Sequence, residues 1–115
     1  MVRLIVIALI WSVSWSAVAA DFAGGARSQC VALQGSSVLE LKRPALTETL
    51  SRYRDEAVAK VHDKAIVFSS SAVFDWAVAT TVQCNVALGY LAGGHVDPPS
   101  SQKCDCFHGY MMSLL

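Results

Sequence analysis

The residues with the richest chemistry sit near the C-terminal end: Cys104-Asp105-Cys106-Phe107-His108, with His95 about ten residues earlier and Cys84 further back. Thiolate and imidazole groups at short spacing are the ligand types that hold zinc or copper. A Cys-x-Cys near a helix start also lies where the helix dipole lowers a thiol pKa and prepares it for disulfide exchange. Neither chemistry is specified by this spacing. It matches none of the common zinc patterns, and the usual exported redox motif is Cys-x-x-Cys. Cys104, Cys106, His108 and His95 are therefore weak metal candidates, and no cofactor is called for.

Hydrolytic chemistry has less support still. The three histidines, His62, His95 and His108, are not accompanied by a Gly-x-Ser-x-Gly elbow or a comparable nucleophile motif. His62 falls on the flank of a charged helix. Asp75, beside Trp76, is expected in the first turn of an apolar helix, where a carboxylate favours the dipole. No catalytic residue emerges, and the expectation is a non-enzyme.

What must position these groups begins with compartment. Arg3 precedes the apolar run Leu4 to Trp11, and the small residues Ser14, Ser16, Ala17, Ala19 and Ala20 follow. These are the three zones of an export signal. Cleavage is expected before Ala20 or before Asp21, with Asp21 favoured, giving a signal over 1–20 and one domain over 21–115. The competing reading, an anchor helix over Val2 to Ala20, is disfavoured by three serines in its second half and by the lack of a basic cluster after it. The expected location is periplasmic or secreted.

In such a chain the even set Cys30, Cys84, Cys104 and Cys106 reads as two disulfides. A ring between Cys104 and Cys106 would be strained, so each is expected to pair with Cys30 or Cys84. Helical phase favours Cys104 as the partner of Cys84 and axial level favours Cys106. Both connectivities stay open. A bridge from Cys84 closes a short loop worth about 3 kcal/mol, and one from Cys30 a long loop worth about 4 kcal/mol, in the chain-entropy account.

Losing Arg3 leaves 8 basic against 9 acidic side chains, a formal charge of −1. That is no footprint for nucleic acid or for anionic lipid. A domain of this size buries only about 60–65% of its unfolded surface, so covalent staples help it.

The elements themselves read as helices. Residues Asp21 to Arg27 look like a loose tail, and Cys30 to Leu33 like one or two helical turns. Val38, Leu39 and Leu41 are expected to touch the core from a loop. From Pro44, suited to a first turn, the apolar positions Leu46, Leu50, Tyr53, Ala57, Val61, Ala65 and Phe68 predict one helix to Phe68. Arg52, Asp55, Glu56, Lys60, Asp63 and Lys64 form its solvated face, with a Glu56–Lys60 pair. Ser69-Ser70-Ser71 breaks it. Ala72 to Leu91, apolar on most sides, is expected to be the central helix, with Trp76 as a core anchor and Gly93-Gly94 as its left-handed stop. Close helix packing is the expected role of Gly89 and of the Gly93-Gly94 pair. After a non-helical His95-to-Pro99 loop, Ser100 or Ser101 should cap a last helix with Cys104, Phe107, Met111 and Leu114 on one face.

Nothing alternates with period two, so no sheet is expected. The fold class is all-α: a small bundle of three main helices plus a short N-terminal one, stapled by two disulfides. The function this favours is binding to another envelope protein, as an inhibitor-like or immunity-like partner or a small stress chaperone. The alternative is a thiol-redox or metal-handling protein that uses the Cys104-Cys106-His108 cluster.

Overall fold

The computed structural model describes Cys30 and residues 37–115. The export signal, the tail before Cys30 and the apolar patch after it lie outside the described residues. Every regular element among them is helical: a 3-10 turn at Ser37–Glu40, then α1 (Arg43–Val61), α2 (Lys64–Val67), α3 (Val73–Ala92) and α4 (Pro98–Ser113). The all-α bundle of three main helices is thus the fold, and Cys30 too is helical.

α1 opens with Pro44 in its first turn, where an amide has no intrahelical acceptor to lose. Leu46, Leu50 and Ala57 are its buried face. The single helix expected to reach Phe68 stops at Val61. Asp63 takes an extended conformation and its carboxylate accepts from the Ala65 amide at 2.9 Å, starting the one-turn α2. A short polar side chain that caps its own downstream backbone competes with helix propagation. As a result Ala65 is exposed, Ile66 turns inward, and Phe68 is 84% exposed instead of closing the stripe.

α3 buries Val73, Trp76, Ala77, Thr80, Cys84 and Ala87, at steps of three, one and four that keep one face inward. The buried Thr80 hydroxyl donates to the Trp76 carbonyl at 2.7 Å, so it is satisfied inside the core. At the C-terminal end the His95 amide bonds the Tyr90 carbonyl and the Gly94 amide the Leu91 carbonyl, both at 3.0 Å. This crossed pair is a Schellman stop. It needs one left-handed residue, and Gly94 supplies it with φ +82°, whereas Gly93 stays at φ −82°. The Arg43 guanidinium donates to the Gly94 carbonyl at 2.6 Å and ties the start of α1 to this turn.

α4 begins earlier than expected. Asp97, not Ser100 or Ser101, is the cap, with its carboxylate accepting from the Ser100 amide at 3.1 Å and from the Ser100 hydroxyl at 2.6 Å. Pro98 and Pro99 then occupy the first turn, which tolerates proline. Cys104, Phe107 and Met111 are fully buried as expected, but Leu114 lies past the helix and is exposed.

α3 is central and packs against both α1 and α4. One core cluster joins Cys30, Ala57, Val73, Trp76, Ala77, Phe107 and Met111. A second, towards the other end, joins Val38, Leu46, Leu50, Cys84, Ala87 and Cys104. Val38 and Leu39 reach that core, while Leu41 is exposed and does not. Two disulfides close the fold: Cys84–Cys104, with Cα atoms 4.7 Å apart, and Cys30–Cys106, 5.8 Å apart. Among the described residues no helix is long and apolar enough to cross a membrane.

Candidate functional site

Of the residues expected to do chemistry, the structure removes the thiols first. All four cysteines are in bridges, and Cys30, Cys84 and Cys104 are at most 1% exposed. A sulfur in a disulfide is neither a thiolate ligand nor a nucleophile. The two histidines do not meet either. His95 is exposed at the turn before α4, about 15 Å of helix away from His108. Among the described residues no three His, Cys, Asp or Glu side chains gather as a metal site would require.

What His108 does join is a polar cluster between α1 and α4. Tyr53 and Glu56 lie one turn apart on α1, and Asp105 and His108 one turn apart on α4. The His108 ring stacks on Tyr53 with centroids 3.9 Å apart and planes 15° from parallel. Its Nε2 is 2.6 Å from Oε2 of Glu56. An ionised carboxylate only accepts, so the ring proton of this hydrogen bond belongs on Nε2. The Tyr53 hydroxyl donates to the Asp105 carboxylate. Burial pushes the Tyr53 phenol above its usual pKa, the Asp105 carboxylate adds to this, and the Arg52 guanidinium opposes it. Arg52 also sits 5.2 Å from the Tyr53 ring centroid and 3.9 Å from the second Glu56 oxygen. Glu56 is therefore drawn to His108 and Arg52, not to Lys60 as the spacing on one helix suggests.

Chemically this arrangement favours a clasp over a reaction centre. Tyr53 is held as a neutral donor, the face of His108 is covered, and its outer nitrogen is engaged. Sequence reasoning singled out His108 but placed Tyr53 on the core stripe and Glu56 on the solvated face. The available signal was the paired spacing Tyr53-x-x-Glu56 and Asp105-x-x-His108.

The second feature is the outer face of α3. Val78, Val82 and Val86 recur at steps of four and are all exposed, as is Tyr90 one turn further on. After Asp75 this helix carries no charged side chain. Among the described residues Gly89 and Gly93 seat no neighbouring helix, contrary to expectation, whereas at Gly94 the Arg43 side chain from the start of α1 comes within 3.6 Å of where a Cβ would stand. Of the described residues, a Cβ on Gly89 would meet none within 4 Å, and one on Gly93 would meet only its own helix end and His95.

No relative is found. Comparison with protein-family models, with curated proteins and with solved structures gives no match to this chain. The functional reading rests on the geometry alone.

Proposed function

We propose that the chain is a small exported protein without enzymatic activity, whose role is to bind another protein of the cell envelope. Residues 1–20 would be the export signal and residues 21–115 the working domain, in the periplasm or outside the cell. Two disulfides belong to an oxidising compartment and support that location. Bridging of all four cysteines leaves no thiolate to hold a metal, and the burial of Cys30, Cys84 and Cys104 shields both bridges from exchange, which supports a binding role over a redox one.

The observation that carries the reading is the uncharged row Val78, Val82, Val86 and Tyr90 on the outside of the central helix. Recognition surfaces are depleted of charge at their centres and enriched in aromatic residues such as tyrosine. Here the row stands on a helix held by a disulfide through Cys84 and packed on both flanks, so little ordering cost attends binding. An inhibitor-like or immunity-like partner would dock a complementary apolar ridge on it, and a stress chaperone would hold exposed apolar segments there.

Site-specific photo-crosslinking in cells that export the protein tests this. A crosslinker at Val82 should give a discrete adduct that disappears when Val78 and Val86 are changed to lysine. One at the solvated position Asp55 should give none. Equal adducts at both positions, or none at Val82, would reject the α3 face as the binding surface.

A further inference from the structure

We propose that the α3 ridge is covered by a second copy of this chain, lying antiparallel across a two-fold axis at the level of residue 84, until an envelope partner displaces it. This rests on the reading of that face as a binding surface, and names its occupant when no other partner is present.

The placing of charge supplies the first argument. Val78, Val82, Val86 and Tyr90 are exposed, and no charged side chain of α3 lies among them. At the two ends of the ridge charge appears, with opposite sign. Asp75 is exposed and lies seven residues before Val82, hence on the same face of the helix. Gly93 lies seven residues after Val86, and the His95 ring stands 3.9 Å from where a Gly93 Cβ would be. Next to it the Arg43 guanidinium is fixed on the Gly94 carbonyl. Asp75 is nine residues before residue 84 and Gly93 nine after it, about 14 Å of helix each way. An antiparallel copy therefore sets each Asp75 against the basic end of the other. A parallel copy would set the two Asp75 carboxylates together.

The second argument is the fit of the ridge to itself. About this axis Val82 meets the partner's Val86, and Val78 meets the partner's Tyr90. Asn85 is exposed one residue from the axis level. A primary amide carries donors and an acceptor, so two of them satisfy each other, and such a pair fixes register in a helix seam. Gly89 lies on this face too, and among the described residues a Cβ there would meet nothing within 4 Å, so a second helix can come close. Closed two-fold pairs are the commonest assemblies of identical chains. A single ridge is small against the about 20–30 residues a side of a stable interface, so the pair is loose and can be displaced.

Sedimentation equilibrium of the oxidised exported protein, over a range of concentrations, tests this. A reversible monomer–dimer equilibrium is expected. Val82→Lys sets two ammonium groups beside the axis and should weaken the dimer roughly a hundredfold. Val82 is exposed, so the fold should persist, and circular dichroism checks that it does. Asp75→Arg should weaken the dimer about tenfold, and adding His95→Asp should restore it. A protein that stays monomeric up to about 1 mM would overturn the proposal. So would a dimer indifferent to Val82→Lys, or a double reversal no tighter than Asp75→Arg alone. The photo-crosslinker at Val82 keeps this apart from the reading beneath it. An adduct of twice the chain mass supports the dimer. Adducts with a different protein alone would overturn the dimer and leave the α3 face as a binding surface.

Discussion

His108 lies flat against Tyr53 while its Nε2 reaches the Glu56 carboxylate, so one imidazole holds two side chains of α1 at once. The bridges run from α3 to α4 and from Cys30 to α4, which leaves α1 as the only main helix without a covalent tie. Its contact with α4 is also less extensive than its contact with α3. The Tyr53–His108 clasp closes that seam.

Replacing His108 with alanine should therefore cost about 1–2 kcal/mol, from the stacked ring and the hydrogen bond together. The Glu56 side chain is 37% exposed, which screens its share. A double-mutant cycle with Glu56→Gln, read by denaturant unfolding, should show a coupling of about 0.5–1 kcal/mol. Strictly additive losses would mean that the 2.6 Å contact contributes nothing.

Cys84→Ser should destabilise the domain by about 2–5 kcal/mol. Non-reducing peptide mapping of the oxidised protein should find Cys84 joined to Cys104 and Cys30 to Cys106. A Cys84–Cys106 peptide would contradict the packing, because Cys104 shares the fully buried face of Phe107 and Met111.

Tyr53 makes an alkaline prediction. Its pKa is raised in the folded state, chiefly by burial and then by Asp105. Folding thus favours the neutral phenol, and this contribution is fully present below the ordinary tyrosine pKa of about 10. It is lost as pH rises from there through the raised folded value, because the unfolded chain ionises first. Tyr53→Phe should lower stability at neutral pH by about 1 kcal/mol, through the lost hydrogen bond. It should also flatten the stability profile above pH ~10. An unchanged alkaline limb would remove Tyr53 as its source.

The bundle was legible because its long helices keep one apolar face over many turns, as Leu46, Leu50 and Ala57 do on α1 and Cys104, Phe107 and Met111 on α4. The misread boundaries share one cause. Val61, Ala65 and Phe68 continue the helical spacing across a real break, and only the capping carboxylate of Asp63 shows that the backbone has stopped. Asp97 likewise turns Pro98-Pro99 from a barrier into a first turn. In both places a local hydrogen bond outweighed periodicity. The clasp was hidden for a different reason. Its halves are ordinary one-turn spacings on separate helices, and their meeting depends on how α1 and α4 cross. The cysteine pairing fell to helical phase: residues two apart on a helix point well away from each other, so Cys104 is fully buried in one cluster while the half-buried Cys106 packs against the other.

The Cys84–Cys104 link lies nested inside the Cys30–Cys106 link, and both depend on residues within the last twelve of the chain. A chain delivered N-terminus first, as the export reading requires, would expose Cys30 and Cys84 to oxidant before either proper partner arrives. The first two thiols able to meet are the wrong two. An exported chain would then need thiol reshuffling after delivery, or an oxidant slow enough to wait for Cys104 and Cys106.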